Sequence, residues 1–180
     1  MSELGTAAGP DGARRSLLTD EVRALQGKTK VYTAPEPFGA AAGRYFALAI
    51  GDDNPLYVDA EYARAHGLPG VTLPLTLVCE TNQYAGCPMD EDGYAGHTWD
   101  IDIPGTRQVR GGNSYVFYRR IRPEDVITAT WRIQDITEKV TRSGQPMLII
   151  TSKADYTNQH GELLAENEET IIFVGLEPSS

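Results

Sequence analysis

An α+β domain, with an antiparallel sheet wrapped around a central apolar helix, is the fold class this sequence predicts. Two observations carry it. The stretch beginning Leu73-Pro74-Leu75-Thr76-Leu77-Val78-Cys79 is apolar on nearly every side, and a helix of that kind belongs inside a domain. The second half of the chain holds three long strand-like runs joined by short turns, which make a meander. Curling the sheet over the helix is the cheapest way to bury both.

The elements follow in chain order. Residues 1–15 are rich in Gly, Ala, Ser and Pro and read as a disordered tail; 176–180 read as a second tail, leaving one domain over 16–175. Thr19 caps a short helix over about 19–26, with Asp20 and Glu21 in its first turn and Leu18, Val22 and Leu25 on one stripe. Lys30–Thr33 reads as a short strand. Pro35-Glu36-Pro37 opens the next helix, whose apolar face is Phe38, Ala42, Tyr45 and Ala49, and Gly51 stops it. Gly51 to Pro55 is dense in turn formers. A third helix runs from Asp59, its cap, to His66, with Gly67 just beyond. The central helix covers 73–85. Residues 86–106 read as a long loop with a short strand at Trp99–Ile103, and a loop of that length is usually functional or mobile. Arg107–Arg110 and Ser114–Ile121 read as strands on either side of a Gly111-Gly112 break. Val126–Ile136 alternates, with Ile127, Ala129, Trp131 and Ile133 on one face, and Met147–Thr157 and Leu163–Val174 complete the meander. The outward face and the edges of such a sheet need cover, which dimerisation supplies.

Composition narrows the function classes. The 180 residues are 41% hydrophobic and 23% charged, which excludes wholesale disorder and a disulfide scaffold. A net charge of −9 repels nucleic-acid phosphate and anionic lipid, so neither is an expected partner. Cys79 and Cys87 fit no CxxC pair, and His66, His97 and His160 lie far apart, so no metal site is expected. The amino-terminal stretch has no apolar signal region and no run is long enough to span a bilayer, which points to a cytoplasmic protein.

The motif Gly51-Asp52-Asp53-Asn54-Pro55-Leu56-Tyr57-Val58-Asp59, with Ala63, Gly67 and Leu73-Pro74-Leu75-Thr76 after it, resembles the signature of MaoC-like hydratases and dehydratases. That signature is Gly-Asp-x-Asn-Pro-(Ile/Leu)-His, an acidic residue two further on, and a helix led by proline. Gly111-Gly112-Asn113-Ser114-Tyr115-Val116-Phe117 and Tyr156-Thr157-Asn158-Gln159-His160-Gly161-Glu162 bring the chain closer to the FAS1-like dehydratase domains. That branch includes the substrate-binding subunits of heterodimeric (3R)-hydroxyacyl-thioester dehydratases. The resemblance spans about residues 19–174. It implies a hot-dog fold, with units paired as a homodimer or as a heterodimer with a MaoC-like subunit. It implies an acyl thioester of CoA or acyl carrier protein held between the units, and water added or removed across C2–C3 of 2-enoyl and (3R)-hydroxyacyl thioesters. It implies neither a metal nor a redox cofactor.

Such a reaction needs a base for water, an acid for the proton at C2, and a donor for the enolate oxygen. The resemblance gives the acid–base work to an Asp and a His five residues on, and the oxyanion to amides at a helix N-terminus. Asp52 stands at the Asp, just past a predicted helix C-terminus whose dipole disfavours negative charge. The plainer reading is that Asp52 or Asp53 bonds turn amides. Asn54 shapes the turn and is a candidate to orient the pair. Tyr57 stands where the family has His. A phenol ordinarily titrates near about 10 and an imidazole near about 6.5, so Tyr57 donates well but is a poor base at neutral pH. Either a partner with an intact Asp–His pair does the chemistry while this chain shapes the acyl pocket, which is the favoured reading, or Asp52 and Tyr57 form an altered pair. Leu75, Thr76 and Leu77 are candidates to present backbone donors to the thioester, with Pro74 ahead of them as a further substrate-binding candidate; core packing accounts for the side chains of Leu75 and Leu77. Gly112 and Asn113 are candidates for close approach of substrate, with a bulge as the commoner explanation. Arg107, Arg110, Arg119 and Arg120 are candidates for CoA phosphates, although a solvated strand face explains most of them. His97 is a candidate for lining the pocket. Two other functions stay open: a thioesterase on the same fold, and a non-catalytic acyl-thioester-binding subunit.

Overall fold

The computed structural model describes residues 16–176 except 87, 92 and 94. The expected tails, apart from Leu176, lie outside the described residues. Five antiparallel strands form one sheet in the order β1-β3-β4-β5-β2. They are β1 (Thr29–Thr33), β2 (Thr106–Phe117), β3 (Thr128–Val140), β4 (Pro146–Thr157) and β5 (Leu163–Gly175). The meander predicted from the second half is β3-β4-β5, and β1 and β2 close its two flanks.

Register decides what the inner face carries. Trp131 lies opposite Ala154, Ala154 opposite Asn167, and Asn167 opposite Tyr115, so these residues share one side. Ala129, Trp131, Ile133, Leu148, Ile150, Tyr156 and Phe173 of that side are all buried. Across it lies the segment predicted as the central helix. It is two pieces: a 3-10 helix at Leu75–Glu80 and an α-turn, α4, at Thr81–Tyr84. The Thr81 hydroxyl donates to the Val78 carbonyl at 2.8 Å, a local bond that competes with a continuous α ladder. Leu77 and Val78 are fully buried. The Trp131 indole donates to Asn82 Oδ1 at 3.2 Å and Cys79 Sγ donates to Tyr115 Oη at 3.2 Å, which seats the segment on the sheet.

Other elements depart from the sequence reading for physical reasons. The first helix, α1, is one turn, Asp20–Arg23, with Thr19 accepting from the Val22 amide at 3.3 Å. The second, α2, is Gly39–Ile50 and starts later than expected. Ala34 and Glu36 each precede a proline and are held out of the helical region. Its buried face is Gly43 and Ala47, whereas Tyr45 is 75% exposed; Gly43 lies so close to the Leu73 side chain that a Cβ there would overlap it. The third, α3, is Ala60–Ala65, capped by Asp59 as expected. No strand forms at Trp99–Ile103; that stretch is loop, pinned by the buried Trp99 indole donating to Ser152 Oγ at 2.8 Å. β2 is one strand rather than two, with a register shift between Arg110 and Gly112. Among the described residues no helix is long and apolar enough to cross a membrane.

Candidate active site

Gly51 ends α2 in the left-handed conformation, at φ 71°, and turns the chain so that the Asp52 amide bonds the Ala47 carbonyl at 2.9 Å. The side chain of Asp52 is then held at both oxygens. Oδ1 accepts from the Asn54 amide at 3.2 Å, and Oδ2 accepts from Tyr57 Oη at 3.0 Å. Asn54 in turn accepts from the Leu56 amide at 3.0 Å and caps a short 3-10 helix, Pro55–Tyr57. That single turn swings residue 57 back over residue 52. Tyr57 is buried in a small cluster with Ala47, Leu56 and Ala63. The two residues singled out by the resemblance thus meet, and Asp52 also bonds a turn amide, as its plainer reading has it.

The direction of the proton follows from the surroundings. Burial pushes the Tyr57 phenol above its ordinary value of 10.0, and the hydrogen bond to Asp52 and the carboxylate charge add to that; Arg120 pulls the other way. Even an unshifted phenol costs about 4 kcal/mol to ionise at pH 7. Tyr57 is therefore a neutral donor, and the carboxylate of Asp52 is the acceptor of the pair.

The start of the central segment is tied beside this turn. The Thr72 amide donates to the Leu56 carbonyl at 3.0 Å, and the Leu73 amide to Ile121 at 2.9 Å. Pro74 is buried, Leu75 half-buried and Thr76 exposed. The Leu77 amide donates to Pro74 at 3.0 Å, which removes it from the expected donor set. The amides of Leu75 and Thr76 precede the first intrahelical bond and have no helical acceptor. Six residues of 3-10 helix back them with a smaller aligned dipole than a helix over 73–85 would supply.

Gly112 and Asn113 lie on β2, and among the described residues no hydrogen bond links them to the Asp52 turn. Gly112 adopts φ +146° beside the register shift, so the bulge explanation holds. Asn113 shares the inner face and its Oδ1 accepts from Asn167 Nδ2 at 3.0 Å. Beyond it a cavity of about 800 Å³ opens between the inner face and the loop through His97, and Tyr32, Arg110, Glu169 and Phe173 are among its walls. His97 lines this cavity. It stacks on Trp131 at 4.0 Å, and its Nδ1 lies 3.0 Å from Tyr32 Oη. Burial, helped by Lys30 and Arg110, lowers its pKa to about 3, so it is a neutral core imidazole. Glu169 escaped the sequence reading. It is buried, its carboxyl is pushed up by that burial, and Arg110 opposes the shift from 3.3 Å away. The signal available was two polar residues, Asn167 and Glu169, set between the apolar Ala165 and Ile171 on one face of a strand.

Comparison with known proteins places this geometry. Residues 30–167 match the model of the FAS1-like dehydratase domain region. A UPF0336 protein of Streptomyces coelicolor is 36% identical over 114 residues, 63% of this chain and 72% of that protein. A probable enoyl-CoA hydratase alpha subunit of Thermomonospora curvata is 30% identical over 137 residues, 72% of this chain but 43% of that protein. Among solved structures, the ChsH1–ChsH2 complex from Mycobacterium tuberculosis contains a chain similar at TM-score 0.68, with 22% identity and 89% of each chain covered. The MaoC-like dehydratase of Rhodospirillum rubrum is similar at TM-score 0.58, with 20% identity, covering 86% of this chain and 94% of that one. A sheet curled over a buried helical segment, a Gly-Asp-x-Asn-Pro turn beside its start and a family match over most of the chain agree: this protein belongs to the FAS1-like dehydratase family and has the hot-dog fold of the MaoC-like dehydratases.

Proposed function

We propose that this chain is a subunit of a hydro-lyase acting on 2-enoyl and (3R)-hydroxyacyl thioesters of CoA or acyl carrier protein. A MaoC-like partner subunit supplies the Asp–His pair. The observation that carries the reading is the bond from Tyr57 Oη to Asp52 Oδ2 at 3.0 Å. The turn keeps the geometry of an acid–base pair while the residue at 57 is a donor held neutral, so it cannot take a proton from water. Asp52, Asn54 and Tyr57 hold that turn. The amides of Leu75 and Thr76, led in by Pro74, offer donors to the thioester carbonyl, Gly112 and Asn113 let substrate approach β2, and the cavity on the inner face takes the acyl chain. The name of the Thermomonospora relative, an enoyl-CoA hydratase subunit, supports the same class of reaction.

The test is hydration of a 2-enoyl-CoA, followed by loss of the conjugated absorbance, with the chain alone and with a MaoC-like partner. The chain alone is expected to be inactive and the complex active. Asp52→Asn in this chain is expected to leave the complex's turnover within about threefold, whereas loss of the partner's aspartate abolishes it. High activity of the chain alone that survives Tyr57→Phe would overturn the reading. The bond itself favours a second reading, an altered pair with Asp52 as base and Tyr57 as donor. Activity of the chain alone that is lost in both Asp52→Asn and Tyr57→Phe would establish it.

A further inference from the structure

The cavity of about 800 Å³ on the inner face is not the plain apolar slot that an unsubstituted acyl chain needs. Ile171 and Phe173 of β5, Tyr32 of β1 and Trp99 of the following loop give it carbon-rich walls. The loop is fastened over it. Lys30 Nζ donates to the Thr98 carbonyl at 2.6 Å and pairs with Asp100, and Lys28 Nζ donates to the Trp99 carbonyl at 3.4 Å. The site is therefore built into the fold, and its volume falls within the range of about 300–1,000 Å³ usual for ligand pockets.

One carboxyl is set among those walls. Glu169 lines the cavity and is only 7% exposed. Its Oε2 faces Arg110 Nη1 at 3.3 Å, longer than an N–H···O bond usually is, and the Arg110 side chain is itself 61% exposed. The other oxygen, Oε1, has no hydrogen-bond partner among the described residues. A carboxyl buried this far with half of its acceptors unused calls for an explanation, and a donor on a bound ligand is the direct one. The cavity is lined by none of Asp52, Asn54, Tyr57, Leu75 and Thr76, so Glu169 stands apart from the candidate acid–base turn.

The chemistry of the missing donor can be narrowed. An unsubstituted hydrocarbon would expel water and leave Oε1 with nothing. A carboxylate on the ligand would meet the like charge of Glu169, and an ammonium would sit beside Arg110 and Lys30. A ketone only accepts, so it serves a protonated carboxyl alone. A hydroxyl donates to an ionised carboxyl and accepts from a protonated one, and so fits Glu169 in either state. We infer that Glu169 is a specificity-determining residue, which selects acyl chains carrying a hydroxyl beyond C3 over unsubstituted chains by bonding that hydroxyl at Oε1. The inference rests on the thioester reading above and on this cavity taking the acyl chain.

The experiment is calorimetric binding of saturated acyl-CoA thioesters of one chain length to the full chain, in the complex where one forms, as wild type, Glu169→Gln and Glu169→Leu. The thioesters are unsubstituted, bear a hydroxyl or a keto group at successive carbons beyond C3, or end in a carboxylate. The best-placed hydroxyl is expected to bind on the order of tenfold tighter than the unsubstituted chain. Glu169→Leu is expected to erase or reverse that preference, and Glu169→Gln, which keeps an acceptor oxygen, to retain part of it. No hydroxylated chain preferred by the wild type, a keto or carboxylate chain bound as tightly as the best hydroxylated one, or an unchanged preference in a folded Glu169→Leu protein would overturn the inference. Leucine is close to glutamate in size and Arg110 is mostly in solvent, so the variant leaves no buried charge unpaired; circular dichroism checks its fold, and Glu169→Gln gives a second, milder reading. Saturated chains cannot be hydrated, so binding is read apart from turnover. A complex that prefers the hydroxylated chain yet hydrates no 2-enoyl-CoA counts against the hydro-lyase and supports the role of Glu169. Binding without preference overturns that role alone, and failure of every acyl-CoA to bind overturns the thioester reading together with it.

Discussion

A phenol and an imidazole in one place differ in which way the proton runs. Tyr57 gives its hydrogen to Asp52 and is kept neutral by burial, so the turn has one acceptor and no second base. Tyr57→His should therefore raise enoyl-CoA hydration by the chain alone, by about 10²-fold or more if only the base is missing, since a positioned general base is worth about that much. No rise in a folded Tyr57→His protein would place the deficiency outside residue 57. His97 makes the opposite case, a titratable group held for packing. Its folded pKa is lowered from 6.5 to about 3, so between those values the unfolded chain binds a proton that the folded chain refuses. Its contribution is complete above about 6.5 and is lost as pH falls toward 3. His97→Phe, which keeps a ring against Trp131, should flatten the stability profile over that window in urea titrations. A profile that keeps the wild-type slope would mean that other groups set it.

At the scale of elements, the contact between α2 and the segment at Leu73 positions the candidate site. Gly43 lets the helix lie directly on Leu73, while Thr72 and Leu73 are bonded to Leu56 and Ile121. Gly43→Ala puts a methyl where the Leu73 side chain lies and should cost about 1–3 kcal/mol, the usual range for overpacking, read as a lower urea midpoint with an unchanged slope. Loss of less than about 0.5 kcal/mol would show that Leu73 moves aside freely. This contact also explains what could be read in the sequence. The meander was legible because alternation over Ile127, Ala129, Trp131 and Ile133 survives in the register with β4. The Asp59 and Gly51 helix ends were legible because capping chemistry is local. The face of α2 was not, because a small-residue face packs only where a neighbour fits it, and Gly43 carries no hydrophobic signal. The central segment splits where the Thr81 hydroxyl and amide both bond the Val78 carbonyl, a local arrangement that hydrophobic periodicity does not signal. The pairing of Asp52 with Tyr57 was legible from the motif, whereas the burial of Glu169 beside Arg110 depends on strands distant in sequence.

For the whole molecule, the sheet has two free edges, and they are not equally protected. β1 is five residues long and carries Lys30, features that discourage strand addition. β2 is twelve residues long and, among the described residues, pairs with β5 alone. Its bulge disturbs the Arg110–Gly112 end and leaves Asn113–Phe117 regular. Asn113, Tyr115 and Phe117 point to the inner face, while Ser114 and Val116 point outward and are exposed. An edge of that length and regularity is the one an assembly would cover, and the same strand carries two of the proposed substrate-contacting residues. Covering β2 would complete the site and remove the edge together. Sedimentation of the full chain, whose monomer is 19.7 kDa, should therefore give a mass of two units or more, either alone or with a MaoC-like subunit. Placing lysines at Ser114 and Val116 puts two like charges on each copy of a paired edge and should weaken association by about tenfold, equivalent to about 1.4 kcal/mol. The same double variant should leave the thermal midpoint of the separated chain within a few degrees, since both side chains already face solvent. A chain that stays monomeric at roughly 100 µM both alone and with the partner subunit, well above the micromolar range in which modest interfaces form, would show that β2 is protected by its bulge alone and that the site is complete within one subunit.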